Sequence, residues 1–380
     1  MSIKCPGCGA TFQSTNDLLP GYIDEKILNG KRDTMYCKRC FNLQHYSKNL
    51  GSEINLDQYT ENIKYISQNN GLIVLVIDAT DIDGTLINDI NSIYKTDNII
   101  LVVNKMDLIN RDTNLYKFNV GLQKLLDERD IHVQEVAFYS AHANNHQEGL
   151  IKKIDFFKTP HKDIYFVGVS NVGKSSIINQ LITRYDLRKS IITTSNYFET
   201  TLDNIKIPYK GSNIVDTLGF INPSNIINYV SDETHEIINS NQRVRPKTLQ
   251  LERDQTIFIG GFVRIDFIEG EKINIVAHLT NDKLIHRTKL SNADEYYKKH
   301  CDDLLKYPNE EEKKKLGQLR SIRVNTQDKR IDICIHGLGY ITVSQNTIIN
   351  IQSFEKIGIE KREMIVWLKN LLILLTIKKN

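Results

Sequence analysis

Residues 163–177 read DIYFVGVSNVGKSSI. A short apolar run leads into Gly168-Val-Ser-Asn-Val-Gly-Lys-Ser175, a complete GxxxxGK[ST] pattern, and SSIINQLI continues with helical spacing. A strand that turns through glycines into a helix points backbone N–H groups at one spot, which suits phosphate oxygens. Lys174 would add charge at the β- and γ-phosphates, and Ser175 would offer a hydroxyl to Mg²⁺. Ser170, Asn171, Val172, Gly173, Lys174, Ser175 and Ser176 are the candidate phosphate-binding residues, with Lys174 also a candidate catalytic group. Such a loop accepts ATP and GTP alike.

The choice of base is written upstream, in ILVVNKMDLI at 100–109. Asn104-Lys105-Met106-Asp107 ends an apolar strand, where a carboxylate can accept from both N1–H and the 2-amino group of guanine; adenine has no such donor pair. Asn104, Lys105 and Asp107 are therefore candidate base-binding residues. Ser140-Ala141, ending the next strand, stands where a backbone contact to guanine O6 is expected. Downstream, Asp216-Thr-Leu-Gly219 places an aspartate to hold Mg²⁺ through water and a glycine N–H to meet a γ-phosphate. Thr201 is the candidate second hydroxyl ligand of Mg²⁺ and a candidate catalytic group, with Thr200 as the alternative.

In common GTPases the order is P-loop, switch threonine, DxxG, NKxD, SA. Here NKxD and SA come first, a circular permutation. A spatial site can assemble from a chain cut elsewhere, provided the old termini are close enough to join. HQEGLIKKIDFFKTPH at 146–161 is the expected join. The cut falls just after DxxG, so the segment that senses the γ-phosphate leads straight into the remaining chain.

Six short apolar runs fall between 72 and 218: LIVLVID, NIILVVN, VQEVAFYSA, DIYFVGV, DNIKIPY and SNIVDTL. Continuous Val/Ile runs separated by helical stretches predict a doubly wound α/β domain with a mostly parallel sheet. The expected units are a four-cysteine module at 1–52, a permuted GTPase domain at 53–225 and an α+β domain at 226–380. In the last, QTIFIGGFVRIDFIEG with KINIVAHL predicts paired hairpins, NADEYYKKHCDDLLKY a helix, RIDICIHGLGYITV more sheet, and PNEEEKKKLG a mobile insert.

Cys5, Cys8, Cys37 and Cys40 form two CxxC knuckles whose four thiolates suit a closed tetrahedral Zn²⁺ site. Lys38, Arg39 and Lys48 with Tyr36, Phe41 and Tyr46 give that module a character compatible with RNA contact, ordinary solvated charge being the alternative. DATDIDGTL fails as a calcium loop, because alignment on Gly84 leaves Ala79 and Ile90 at ligand positions; a strand end and turn is expected. The net charge of +3 is uneven, residues 281–380 holding 19 Lys+Arg against 13 Asp+Glu, which permits an anionic partner there. No apolar run approaches the roughly 18–20 residues of a membrane span. The first residues resemble no export signal. A cytoplasmic location is expected, without membrane or DNA partners.

Phe220 follows DxxG where many GTPases carry a water-orienting glutamine, so slow intrinsic hydrolysis is expected. Asn171 is a candidate for holding K⁺ near the phosphates and a candidate catalytic group; a turn-forming asparagine is the alternative.

The chain resembles the YqeH family of circularly permuted ribosome-biogenesis GTPases. The matching pieces are CPGCGATFQ, GYI, CKRCFNLQHY, NKMDL, GVSNVGKSS, TTLDNIKIP, DTLG, RPKT, GGFVRIDF and HRTKLSNADEYYKKH. The resemblance implies GTP hydrolysis coupled to maturation of the small (30S) ribosomal subunit, with RNA or ribosomal protein as partner. Phe198-Glu199 departs from it, standing where Pro-Gly is expected ahead of the switch threonines. A GTP/GDP-responsive RNA- or protein-binding module with incidental hydrolysis is the alternative.

Overall fold

The computed structural model describes residues 11–15, 22–25, 56–140, 147–185, 205–217, 219–239, 242–270 and 273–365. Cys5, Cys8, Cys37, Cys40, Ala141, Phe198, Glu199, Thr200 and Thr201 lie outside the described residues.

The six apolar runs form one sheet: β1 (Leu72–Asp78), β2 (Ile99–Asn104), β3 (Glu135–Phe138), β4 (Ile164–Val167), β5 (Ile205–Tyr209) and β6 (Ser212–Asp216). Its order is β3-β2-β1-β4-β6-β5. β1, β2, β3, β4 and β6 run parallel. β5 is antiparallel to β6 across the turn at Lys210-Gly211. Every residue of β1, β2 and β4 is buried, which is why these strands carry continuous rather than alternating apolar residues.

α1 (Leu56–Asn69) leads into β1, and the helices that follow lie between strands: α2 (Ile82–Thr85), α3 (Ile90–Tyr94), α4 (Leu115–Glu128), α5 (Gln147–Phe157) and α6 (Lys174–Arg184). In α4, Phe118, Leu122, Leu125 and Leu126 are buried, a spacing that gathers them on one face. Asn114 caps its first turn by accepting from the Lys117 N–H. α5 is the join of the permutation, carrying the chain from β3 to β4. P-loop, NKxD, SA and DxxG thus all follow the carboxyl ends of parallel strands, where ligands of open α/β sheets bind.

Beyond the sheet come α7 (Asp232–Ile238), β7 (Lys247–Leu251), β8 (Gln255–Ile259), β9 (Val263–Glu269), β10 (Ile273–Leu279) and β11 (Ile285–Lys289). Then follow α8 (Ala293–His300), α9 (Glu310–Leu316), β12 (Leu319–Asn325), β13 (Ile331–Ile335), β14 (Gly339–Val343), β15 (Ile348–Phe354) and β16 (Ile359–Glu363). The strands make two five-stranded sheets, β16-β13-β14-β10-β7 and β11-β8-β9-β15-β12. All pairings in both are antiparallel.

The expected β8–β9 hairpin forms, and RIDICIHGLGYITV, expected as sheet, is the antiparallel pair β13–β14. β10 does not pair with β9; it lies between β14 and β7, partners that local patterning cannot specify. The expected long helix stops at His300, where Asp303 accepts from the Leu304 N–H and turns the chain. The expected mobile insert is ordered as α9. Asn309 and Glu312 form a capping box, and Glu312 and Leu316 are buried.

The two parts meet across apolar contacts, with Cys334, Tyr340 and Ile365 joining the core of the first sheet, and across polar ones. Asp83, in the first turn of α2, pairs with Arg129 at the end of α4 and with Arg362 of β16. Burial alone would raise the Asp83 carboxyl, but Arg362 and Arg129 hold it below its usual range. Arg362 also faces Asp332 of β13. Asp81 accepts from the Gly337 N–H at 2.8 Å, and burial pushes it up to about 6. These carboxylates go to separate protein partners rather than to one cation, and where a turn is expected after the strand end the chain forms the short helix α2, capped by Asp81.

Candidate nucleotide site

β4 delivers the chain into the P-loop, and α6 begins at Lys174. Asn171 sits at φ 67, a left-handed conformation that asparagine tolerates better than most residues. Gly173 caps α6 at φ 94, and a Cβ there would stand 2.4 Å from Asn104 Nδ2. The glycine is needed both for its backbone and for that approach.

The approach matters because it joins the two halves of the pattern. Asn104, at the end of β2 and 1 % exposed, donates from Nδ2 to the Val172 carbonyl at 2.8 Å. The first residue of NKxD is therefore bonded to the P-loop across 68 positions of sequence. Lys105, at φ 62, pairs with Asp78 of β1 at 2.5 Å. Ser140 donates from Oγ to Asp107 Oδ1 at 2.5 Å, and the Met106 N–H donates to the Tyr139 carbonyl. Arg243, from the chain beyond DxxG, donates to the Asp107 carbonyl at 3.0 Å. NKxD and Ser140 thus form one carboxylate-bearing corner beside the phosphate loop.

Lys174 is almost completely buried, with Nζ donating to the carbonyls of Gly168 (2.9 Å) and Val169 (3.1 Å). Burial pushes its ammonium down to about 8, against the pull of Asp216. A bound polyphosphate would draw the proton back. GTP binding measured near pH 8.5 should therefore take up about half a proton or more, read by calorimetry in two buffers of different ionisation enthalpy. Equal apparent enthalpies would contradict it.

Ser175 donates from Oγ to Asp216 Oδ2 at 2.8 Å. Burial raises the Asp216 carboxyl, with Lys174 and Ser175 opposing, and Asp216 Oδ1 is buried with no hydrogen-bond partner. A hydroxyl and a carboxylate with one unsatisfied buried oxygen fit a hard divalent cation, so the donor set suits Mg²⁺. Such an ion would neutralise charge on the β- and γ-phosphate oxygens.

The DxxG segment runs along the P-loop. The Phe220 N–H donates to the Gly168 carbonyl and the Ser170 N–H to the Phe220 carbonyl. A Cβ at Gly219 would lie 2.7 Å from Ser170 Oγ and 3.1 Å from Lys174 Nζ, so only glycine allows this closeness. The Phe220 ring is 7 % exposed and stands edge-on to Tyr94, centroids 6.1 Å apart. The side chain that replaces glutamine is thus a core residue. Phe220→Gln should lower stability by about 2–4 kcal/mol, seen by denaturant melts, without accelerating GTP turnover. A faster enzyme would show that this side chain reaches the phosphates.

The structure thus brings together Ser170, Asn171, Val172, Gly173, Lys174, Ser175, Asn104, Lys105, Asp107, Ser140, Asp216 and Gly219. Ser176 faces solvent on α6. The zinc cysteines, Ala141 and Thr201 fall outside the described residues.

Three contributors had no linear signal. His235 of α7 stands 3.3 Å from Asn171 Nδ2 through its Nε2. Ser224, just past DxxG, bonds to the last domain: Ser224 Oγ lies 2.8 Å from His336 Nδ1, and the Gly358 N–H donates to the Ser224 carbonyl. Asn225 Nδ2 donates to Asp81 Oδ2 at 3.1 Å.

Three family models match the chain. One described as RsgA GTPase covers residues 56–225, one described as 50S ribosome-binding GTPase covers 163–316, and one described as YqeH-like, C-terminal covers 272–365. Among individual proteins, the chain is 32% identical to YqeH of Bacillus subtilis (strain 168), over 90% of this chain and 93% of that protein. It is 24% identical to a protein of Oryza sativa subsp. japonica named putative nitric oxide synthase, over 89% of this chain and 69% of that protein. It is 28% identical to GTPase Der of Aquifex aeolicus, over 34% of this chain and 29% of that one.

Proposed function

This chain belongs to the YqeH family and is a circularly permuted GTPase, and from that premise we propose that it acts as a nucleotide-timed assembly factor on the small ribosomal subunit. In this reading the N–H groups at the start of α6 and Lys174 hold the phosphates, and Asp107, steadied by Ser140, accepts from guanine. Asn104 keeps base corner and phosphate loop in register. Ser175 and Asp216 would hold Mg²⁺, and the Gly219 N–H would meet the γ-phosphate. With Phe220 in the core, hydrolysis on the free protein is slow.

One observation carries the coupling. The segment after DxxG is bonded at Phe220 to the P-loop and, four residues later at Ser224, to His336 and Gly358 of the last domain. A change at the γ-phosphate therefore pulls on the sheet that follows, and docking of that sheet pulls on the phosphate site. The excess of 19 Lys+Arg over 13 Asp+Glu in residues 281–380 favours an anionic partner such as ribosomal RNA.

Single-turnover GTP hydrolysis with isolated small or large subunits tests this. Small subunits should accelerate it by about tenfold or more, a modest allosteric coupling of roughly 1–3 kcal/mol. Stimulation by large subunits alone would move the partner, and none by either would favour a binding module with incidental hydrolysis.

The four cysteines are proposed to hold Zn²⁺, which metal analysis of the intact chain tests. Asn171 is proposed to help hold K⁺; equal hydrolysis rates in KCl and NaCl would remove that role.

A further inference from the structure

α7 brings a side chain to the P-loop that no sequence motif assigns. His235 Nε2 lies 3.3 Å from Asn171 Nδ2 and 2.9 Å from Asn239 Nδ2. Two amide nitrogens facing one ring nitrogen match the tautomer with its proton on Nδ1, in which the single Nε2 lone pair is shared between Asn239 and Asn171. The position of the ring is set by the rest of the chain. Ser231 caps α7, and its N–H and Oγ both donate to Glu312 Oε1 of α9 at 2.7 Å. Glu312 is 2 % exposed, and its other oxygen accepts from the Asn309 N–H. A buried carboxylate bonded on both oxygens is a fixed anchor. A continuous set of hydrogen bonds therefore runs from α9 through Ser231 and α7 to the P-loop.

An amide held at its nitrogen end presents its carbonyl end elsewhere. We propose that His235 is a positioning residue for GTP hydrolysis: by accepting from Asn171 Nδ2 it fixes the rotation of that amide, leaving Oδ1 as the end available to a cation beside the phosphates. The inference rests on the reading of the P-loop as the GTP site and adds a residue to it. It also places the last domain, through Glu312, in contact with the phosphate loop by a route separate from the DxxG segment.

The test uses the full-length chain and five proteins: wild type, H235A, H235Q, N171A and the H235A/N171A pair. Affinity for a fluorescent GTP analogue and the single-turnover hydrolysis rate are measured for each. H235A should slow hydrolysis by about tenfold with affinity kept within about twofold, because the lost contact orients a group rather than holding the nucleotide. H235Q should keep most of the rate, since its side-chain oxygen can accept the same Asn171 N–H. The double variant should be no slower than N171A alone, the non-additivity expected of two residues acting as one unit. H235A at the wild-type rate, H235Q as slow as H235A, or losses that multiply in the double variant would each overturn the proposal. A wild-type chain that fails to bind the analogue would instead overturn the GTP site itself.

Discussion

Replacing Lys174 with alanine is expected to lower single-turnover GTP hydrolysis by about 10²–10³-fold, the loss typical of one charged group aimed at developing transition-state charge in a dry site. The lysine is held in place by Gly168 and Val169 carbonyls and lies close under Gly219. It is already desolvated, so nucleotide binding exchanges carbonyl contacts for phosphate contacts with little reorganisation. Lys174→Arg should fail almost as badly. The planar guanidinium is bulkier than the ammonium, and Gly219 and Ser170 leave it no room. An arginine variant at the wild-type rate would show that charge alone suffices and that the packing around Lys174 is incidental.

The second large effect is on base choice. Asp107→Asn should weaken GTP binding by about 10³-fold or more, because guanine's N1–H and amino group then meet an amide in place of a carboxylate. The variant should not unfold the corner, since its side-chain oxygen can still accept from Ser140. The amide it presents carries a donor, so xanthine, with an oxygen where guanine has the 2-amino group, should gain affinity as guanine loses it. Competition between GTP, XTP and ATP for the variant measures this. Unchanged guanine selectivity would place base reading on some other residue.

Much of this site is legible in the linear chain, for a physical reason. Phosphate cradles and base corners sit at strand ends, and β1, β2 and β4 announce themselves because burial on both faces forces continuous Val/Ile runs. The permutation is legible because NKxD and P-loop keep their local shapes wherever the chain is cut. What escapes is contact between distant segments. Nothing in SDETHEII says that His235 reaches Asn171, and nothing in PNEEEKKKLG says that Glu312 caps a helix other than its own. Charge density there suggests solvent, yet two donors from Ser231 stabilise the buried carboxylate. Phe220 is legible as a missing glutamine but not as a core residue, because its direction depends on Tyr94. β10 likewise looks like a partner for its neighbour, and only the three-dimensional closure of two sheets sends it to β14 and β7.

The account stands on Lys174 and Asp107 serving one nucleotide, and a crystal structure of the chain with Mg²⁺ and a non-hydrolysable GTP analogue tests that most directly. The guanine N1 and N2 should lie about 3 Å from the Asp107 carboxylate while the terminal phosphates meet Lys174 Nζ. Phosphates seated in the loop with the ring turned away from Asp107, beyond about 4 Å, would contradict it.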